Sequence, residues 1–261
     1  MNDFLATILA AKEDEVRRAR SAVSLEELQA AADARTDLRS FSAALAADGV
    51  RIVAEIKRAS PSKGPLKPDL DPAEMARAYA AGGAAALSVL TDSAFFGGSA
   101  ADLQAARAAC ALPVLRKDFI LDPYQVFESK AMGADAVLLI VRALSPGRLA
   151  EMIDLCRRLS LDALVEIHTG AELEAATGAG AVLIGINNRD LGTFATDVNR
   201  AVCLASRFSP EQIPVAASGI SGSGDIAKNL SAGIRRFLIG EALVKDIDPA
   251  ARLKRMIGAG R

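Results

Sequence analysis

The chain has 261 residues, 51% of them hydrophobic but only 4% aromatic, so its core must be built from Ala, Val, Ile and Leu instead of large rings. With 31 basic and 32 acidic residues the formal net charge is -1, which gives no electrostatic reason for a nucleic-acid or anionic-membrane partner and points to a small ligand. One histidine, His168, and three scattered cysteines, Cys110, Cys156 and Cys203, argue against a disulfide framework, a multi-histidine metal centre or a zinc site, and the cysteines read as buried free thiols.

Between Asn2 and Ala47 apolar residues recur at helical spacing among charged ones, with Ser24-Leu25-Glu26-Glu27 as a capping box. Two helices are expected there, ahead of the core. That stretch has no apolar signal-peptide centre, and no apolar run reaches the roughly 18 residues of a membrane span, so a cytoplasmic protein without membrane contact is expected. Eight short β-like runs follow: Ile52 to Lys57, Ala86 to Thr91, Pro113 to Phe119, Ala136 to Val141, Ala163 to His168, Ala181 to Asn187, Pro214 to Gly219 and Arg236 to Gly240. Helical stretches lie between them, among them Pro72 to Ala81, Pro146 to Leu159, Ala171 to Ala176 and Gly224 to Ala232. Strand and helix in alternation imply parallel strands, and eight units in a chain close to the typical length of about 250 favour closure into a (β/α)8 barrel. One barrel domain over 1–261 is expected, with 1–49 as a helical extension packed on it. No G-x-G-x-x-G follows the first strand; the glycines of Gly219-Ile220-Ser221-Gly222-Ser223-Gly224 come after the seventh and lack the acidic partner of a dinucleotide site.

The C-terminal ends of barrel strands form the active face. Glu55 and Lys57 alternate with Ile56 and so project to one side of strand one. Lys117 ends strand three, Glu166 strand five and Asn187 strand six, with Arg189 just beyond. Any one of these could be a solvated strand end or a structural ion pair; five such residues on four strands are much harder to read that way. His168 lies further out and reads as structural or peripheral. Ser218-Gly219 and Gly240-Glu241 end strands seven and eight, where glycine turns and a helix start can bring backbone N–H groups to a phosphate.

The segment Ala54-Glu55-Ile56-Lys57-Arg58-Ala59-Ser60-Pro61-Ser62-Lys63-Gly64 resembles the signature of the indole-3-glycerol phosphate synthase family. Ser88 to Asp92 with Phe96-Gly97-Gly98-Ser99, Pro113 to Gln125, Gly133 to Ile140, Val165 to His168, Ile184 to Leu191 and Phe237 to Gly240 match in the same order, so the likeness covers nearly the whole chain. The resemblance implies that 1-(2-carboxyphenylamino)-1-deoxyribulose 5-phosphate is cyclised, decarboxylated and dehydrated to indole-3-glycerol phosphate in tryptophan biosynthesis, with no cofactor and no metal. It implies Lys117 as general acid, a role in which a lysine's ammonium supplies the proton. Glu166 would remove a proton, Lys57 would hold the substrate and share acid duty, and Glu55 would orient Lys57. Asn187 and Arg189 would position polar groups, and Ser60, Phe96 and Phe119 would lie against the aromatic part. Ser218, Gly219, Gly240 and the backbone N–H of Glu241 would hold the phosphate. A monomer or weak homodimer is expected, without a fused second barrel.

One position departs from the family pattern, which usually reads Glu-Ser-Gly-Ile at strand seven where this chain has Ala217-Ser218-Gly219-Ile220. Retained activity, a weakened site and a non-catalytic barrel that only binds the phosphorylated ligand are three readings of that change. Another phosphate-binding barrel, such as phosphoribosylanthranilate isomerase, would call for an acid/base Cys and Asp pair at strand ends, and no Cys is so placed.

Overall fold

The computed structural model describes residues 4–61, 63–190 and 195–259; Met1 to Asp3, Ser62 and Leu191, all within stretches read above, lie outside the described residues. Eight parallel strands close into a barrel: β1 Arg51–Ile56, β2 Ala86–Leu90, β3 Val114–Lys117, β4 Ala136–Ile140, β5 Asp162–Ile167, β6 Leu183–Asn187, β7 Ile213–Ala217 and β8 Arg236–Ile239. Each pairs with its neighbours in sequence, and β1 closes on β8 with Val53 opposite Leu238. A two-rung antiparallel ribbon, Ala59–Ser60 with Gly64–Pro65, stands over the exit of β1. Among the described residues thirteen α-helices surround the strands, including α4 Pro72–Ala81, α5 Ser93–Phe96, α6 Ala100–Ala109, α7 Pro123–Met132, α8 Pro146–Arg158 and α9 Gly170–Gly178. Past β6 come α10 Asn199–Leu204, α11 Ser223–Ser231, α12 Glu241–Val244 and α13 Pro249–Gly258.

Strand periodicity divides the interior in two. On β1, Ile52, Ala54 and Ile56 face the helices and join the outer apolar layer. Val53 points the other way, into an inner column with Leu115, Leu138, Leu164, Val215 and Leu238. Aliphatic side chains make up most of this column, in keeping with the aromatic-poor composition.

Three helices precede the barrel, not two: α1 Phe4–Ala22, α2 Leu25–Ala34 and α3 Phe41–Ala46. Ser24 caps α2, its hydroxyl accepting from the Glu27 amide at 3.2 Å while Glu27 accepts from the Ser24 amide at 2.8 Å. The six-residue α3 escaped the periodicity because it is too short to show a stripe; its Phe41 and Leu45 are fully buried in the lower end of the inner column. Carbonyls of α3 accept from the side chains that begin two strands, Arg51 Nε to Ala44 O at 2.9 Å and Arg236 Nε to Leu45 O at 2.8 Å. The opposite end of the extension reaches the other rim, where Leu5 and Ile8 of α1 enter the same column.

The cysteines differ from one another. Cys156 is buried, and burial pushes its thiol up to about 12, but Cys110 is half-buried and Cys203 is exposed, because α10 turns that residue outward. Among the described residues no helix is long and apolar enough to cross a membrane.

Candidate active site

A cavity of about 490 Å³ opens at the C-terminal ends of the strands. Every site residue expected from the sequence lines it: Glu55, Lys57, Ser60, Phe96, Lys117, Phe119, Glu166, Asn187, Arg189, Ser218, Gly219, Gly240 and Glu241. His168 does not; its amide donates to Glu172 at 2.6 Å and its ring is buried beneath the rim.

Two charged groupings meet at the floor. Lys57 Nζ donates to Glu55 Oε1, an ion pair set up by the two-residue repeat of β1. Burial alone would raise the Glu55 carboxyl, but Lys57, Lys117 and Arg189 outweigh it and hold it below the usual carboxylate range, so Glu55 is ionised at neutral pH and has no proton to give. Across the floor Lys117 Nζ stands 3.6 Å from Glu166 Oε2, and the other carboxylate oxygen accepts from Asn187 Nδ2 at 3.0 Å. Asn187 Oδ1 in turn accepts from the Arg189 amide at 3.0 Å, so the chain leaving β6 fixes the orientation of the amide. Glu166 is thus held from two sides with both its oxygens engaged.

One wall is apolar. Phe96 and Phe119 approach with ring centroids 6.2 Å apart and planes inclined by 38°, and Leu90 and Ile140 complete the surface below them. Phe4, Leu5 and Ile8 of α1 form the upper part of that wall. Sequence reasoning missed these three: the apolar stripe of α1 is visible in the sequence, but nothing local says that it faces a cavity instead of a helix. Ser60 Oγ is buried at the same end and has no hydrogen-bond partner among the described residues.

The opposite wall is made of turns. Ser218 (φ 65°) and Gly219 (φ 76°) are consecutive left-handed residues that bend the chain sharply out of β7. For serine this conformation costs on the order of 1–2 kcal/mol, a strain of the kind concentrated at working sites. A side chain at Gly219 would stand 2.5 Å from Thr196 Cγ2 and 3.0 Å from Val198 Cγ1, so glycine is required there by space as well as by φ. Gly240 has an additional reason: a Cβ would collide with Glu55 Oε1 and lie 2.9 Å from Lys57 Nζ. The helix after β8 has four residues, too short for a substantial dipole, so individual N–H groups are what it offers. At the start of α11, Asp225 already takes the Ser221 amide at 2.7 Å and the Gly222 amide at 3.3 Å. The Glu241 carboxylate points to cations, 2.8 Å from Lys245 Nζ and 3.8 Å from Arg189 Nη2.

Ala217 pairs in register with Asn187 on β6 and Leu238 on β8, and its methyl joins the inner column with only 6% exposure. The floor beside Asn187 is therefore apolar on that side.

A closed eight-stranded parallel barrel whose strand ends gather lysines, carboxylates and an amide around one cavity defines an acid–base enzyme of the (β/α)8 class. Residues 5–256 match the family model described as indole-3-glycerol phosphate synthase. The chain is 53% identical to the indole-3-glycerol phosphate synthase of Syntrophobacter fumaroxidans over 262 residues, covering 99% of each chain. It is 55% identical to that of Desulfosudis oleivorans, covering 98% of this chain and 99% of the other, and 47% identical to that of Bordetella pertussis, covering 98% and 100%. The chain belongs to the indole-3-glycerol phosphate synthase family, decarboxylating lyases of tryptophan biosynthesis. Among solved structures, a 3-hexulose-6-phosphate synthase superposes with a TM-score of 0.64 at 14% identity, over 81% of this chain and 100% of that one. A thiamine phosphate pyrophosphorylase from Pyrococcus furiosus gives 0.61 at 15% identity, over 80% and 95%; both likenesses concern the fold alone.

Proposed function

We propose that the cavity closes the indole ring of 1-(2-carboxyphenylamino)-1-deoxyribulose 5-phosphate with Lys117 as general acid and Glu166 as general base. The observation that carries this reading is the Lys117–Glu166–Asn187 chain facing the Glu55–Lys57 pair across one floor. The aromatic ring stacks in the wall of Phe96 and Phe119, and the carbon bearing the carboxylate attacks the ribulose ketone. As the C–C bond forms, the carbonyl π electrons move onto oxygen, which takes a proton from Lys117. The carboxylate leaves as carbon dioxide and its bonding pair restores the ring. The new hydroxyl takes a proton from Lys57 and leaves as water while Glu166 takes a proton from the adjacent carbon, and the resulting double bond completes the indole. Lys57, oriented by Glu55, holds the substrate and shares acid duty, while Asn187 keeps the Glu166 carboxylate aimed at the proton it removes.

The phosphate is held at the turn wall, by N–H groups of Ser218, Gly219, Gly240 and Glu241 and by the positive field of Arg189 and Lys245. If all are ionised, Lys57, Lys117 and Arg189 outnumber Glu55 and Glu166, a balance suited to a ligand with both phosphate and carboxylate. Ser60 reaches the aromatic end. A chain acting in the cytoplasm without nucleic acid or membrane contact, as a monomer or weak homodimer, fits its near-neutral charge.

The test is growth of indole fluorescence on mixing the chain with the substrate, with Lys117→Ala as control. Growth that the control abolishes supports the assignment; equal rates for both would remove Lys117 from the mechanism. Substrate binding without turnover would favour the ligand-binding barrel that Ala217 alone suggests.

A further inference from the structure

One buried cation has no part in the chemistry above. Lys12, on the inward side of α1, is only 1% exposed, yet its Nζ lies 2.9 Å from Asp118 Oδ1, 3.1 Å from Asp92 Oδ2 and 2.8 Å from Glu15 Oε2. Burial alone would lower its pKa, but Asp118, Glu15 and Asp92 outweigh that and raise it, so the ammonium persists. Both buried carboxylates belong to loops that carry cavity residues. Asp118 follows Lys117 directly; it also accepts from Thr91 Oγ1 at 2.6 Å and from the Phe119 amide at 2.8 Å, and pairs with Arg116 at 3.1 Å. Asp92 begins the short helix of Phe96, its Oδ1 accepting from the Phe95 amide at 2.7 Å and the Phe96 amide at 3.3 Å. Among the described residues the other oxygen of Asp92 has the Lys12 ion pair alone. One and two turns before Lys12 along α1, Ile8, Leu5 and Phe4 line the cavity, and Phe4 meets Phe95 edge to face at 5.7 Å.

We propose that Lys12 is a positioning residue for ring closure: its single ammonium fixes together the α1 wall, the Phe96 helix and the loop that follows Lys117. A buried ion cluster is a poor choice for stability alone, since apolar side chains of equal volume serve as well without the cost of desolvating charge. What it adds is one permitted arrangement of three segments remote in sequence. Small misplacement of groups at a reacting centre is costly, about a hundredfold in rate for 1 Å. The inference rests on the functional reading above, and wild-type turnover is therefore measured first: its absence defeats that reading and leaves Lys12 a structural ion pair.

With an active wild type, Lys12→Met keeps the apolar stem and removes the charge. Its kcat, measured well below the unfolding midpoint, is expected to fall by about tenfold to a hundredfold, with partial recovery in Lys12→Arg. Affinity for indole-3-glycerol phosphate, read from the product's own fluorescence because the chain contains no tryptophan, falls about tenfold as the α1 wall loosens. A lowered melting temperature with kcat, KM and product affinity within about twofold of wild type would overturn the proposal, since that is the behaviour of a purely structural ion pair. Where Lys12→Met does not fold, the pair Lys12→Met with Asp92→Asn removes the stranded charge while the Asn oxygen keeps the α5 cap. Reduced kcat in that folded pair supports the positioning role, and wild-type kcat sinks it.

Discussion

Gly240 shows how one missing methyl can matter twice. The residue ends β8 at the turn assigned to phosphate, and its bare Cα also leaves room for the Glu55–Lys57 pair. Gly240→Ala should therefore displace that pair and lower kcat/KM by about tenfold or more while the melting temperature changes little, because the turn's φ of −119° suits alanine. Steady-state kinetics beside a thermal melt decide it, and unchanged kinetics would mean that the carboxylate moves aside freely. Ala217 poses the converse case of a group that is absent. Ala217→Glu would place a carboxylate beside Asn187, within the field of Lys117 and Glu166, so it is expected to change turnover more than stability; equal kinetics for the two forms would defeat that expectation.

The exits of three successive strands are stitched by charge. Arg142, on the turn after β4, pairs with Glu172 on α9 at 2.7 Å and with Asp190 beyond β6 at 3.5 Å. Burial alone would raise the Glu172 carboxyl, but His168, Arg142 and the His168 amide bring it from its usual 4.5 down to about 2. A carboxyl depressed in the folded state contributes stability at pH above 4.5 that is lost as pH falls from there toward 2. The wild-type melting temperature should accordingly drop more steeply over that window than that of Glu172→Gln, which has no proton to take up. Parallel slopes would show that Glu172 does not control the acid limb.

At this scale the barrel was largely legible. Strand starts and ends agree to within a residue or two because each strand is a short aliphatic run punctuated by polar ends, and Pro72–Ala81 follows its N-terminal proline and an Asp cap. Lys117, Glu166 and Asn187 could be recognised as convergent because a barrel sends all its strand ends to one face. Contacts set by long-range docking could not be read. Phe41 looks like any helical phenylalanine until α3 is seen under the strands, and Leu5, 52 residues before Lys57 in sequence, faces the cavity only because α1 docks against the strand ends.

Across the whole molecule the N-terminal extension touches both ends of the barrel. Its lower fastening is Asp135, whose side chain is fully buried and accepts from Arg35 at 2.6 Å, Arg107 at 2.5 Å, the Arg39 amide at 3.0 Å and the Val114 amide at 2.9 Å. Asp135→Ala would leave two largely buried guanidinium groups with the exposed Asp37 carboxylate and backbone carbonyls as their remaining partners and should cost about 3 kcal/mol in chemical denaturation. A loss below about 1 kcal/mol would mean that water or neighbouring carbonyls replace the carboxylate.

The stopper formed by Phe41 and Leu45 gives the barrel a closed base, so traffic is confined to one doorway. Entry and exit both fall to the cavity mouth at the C-terminal ends of the strands. The apolar wall of Phe96 and Phe119 and the turn wall of Ser218 and Gly219 thus share one threshold, so whatever one wall admits must pass the other.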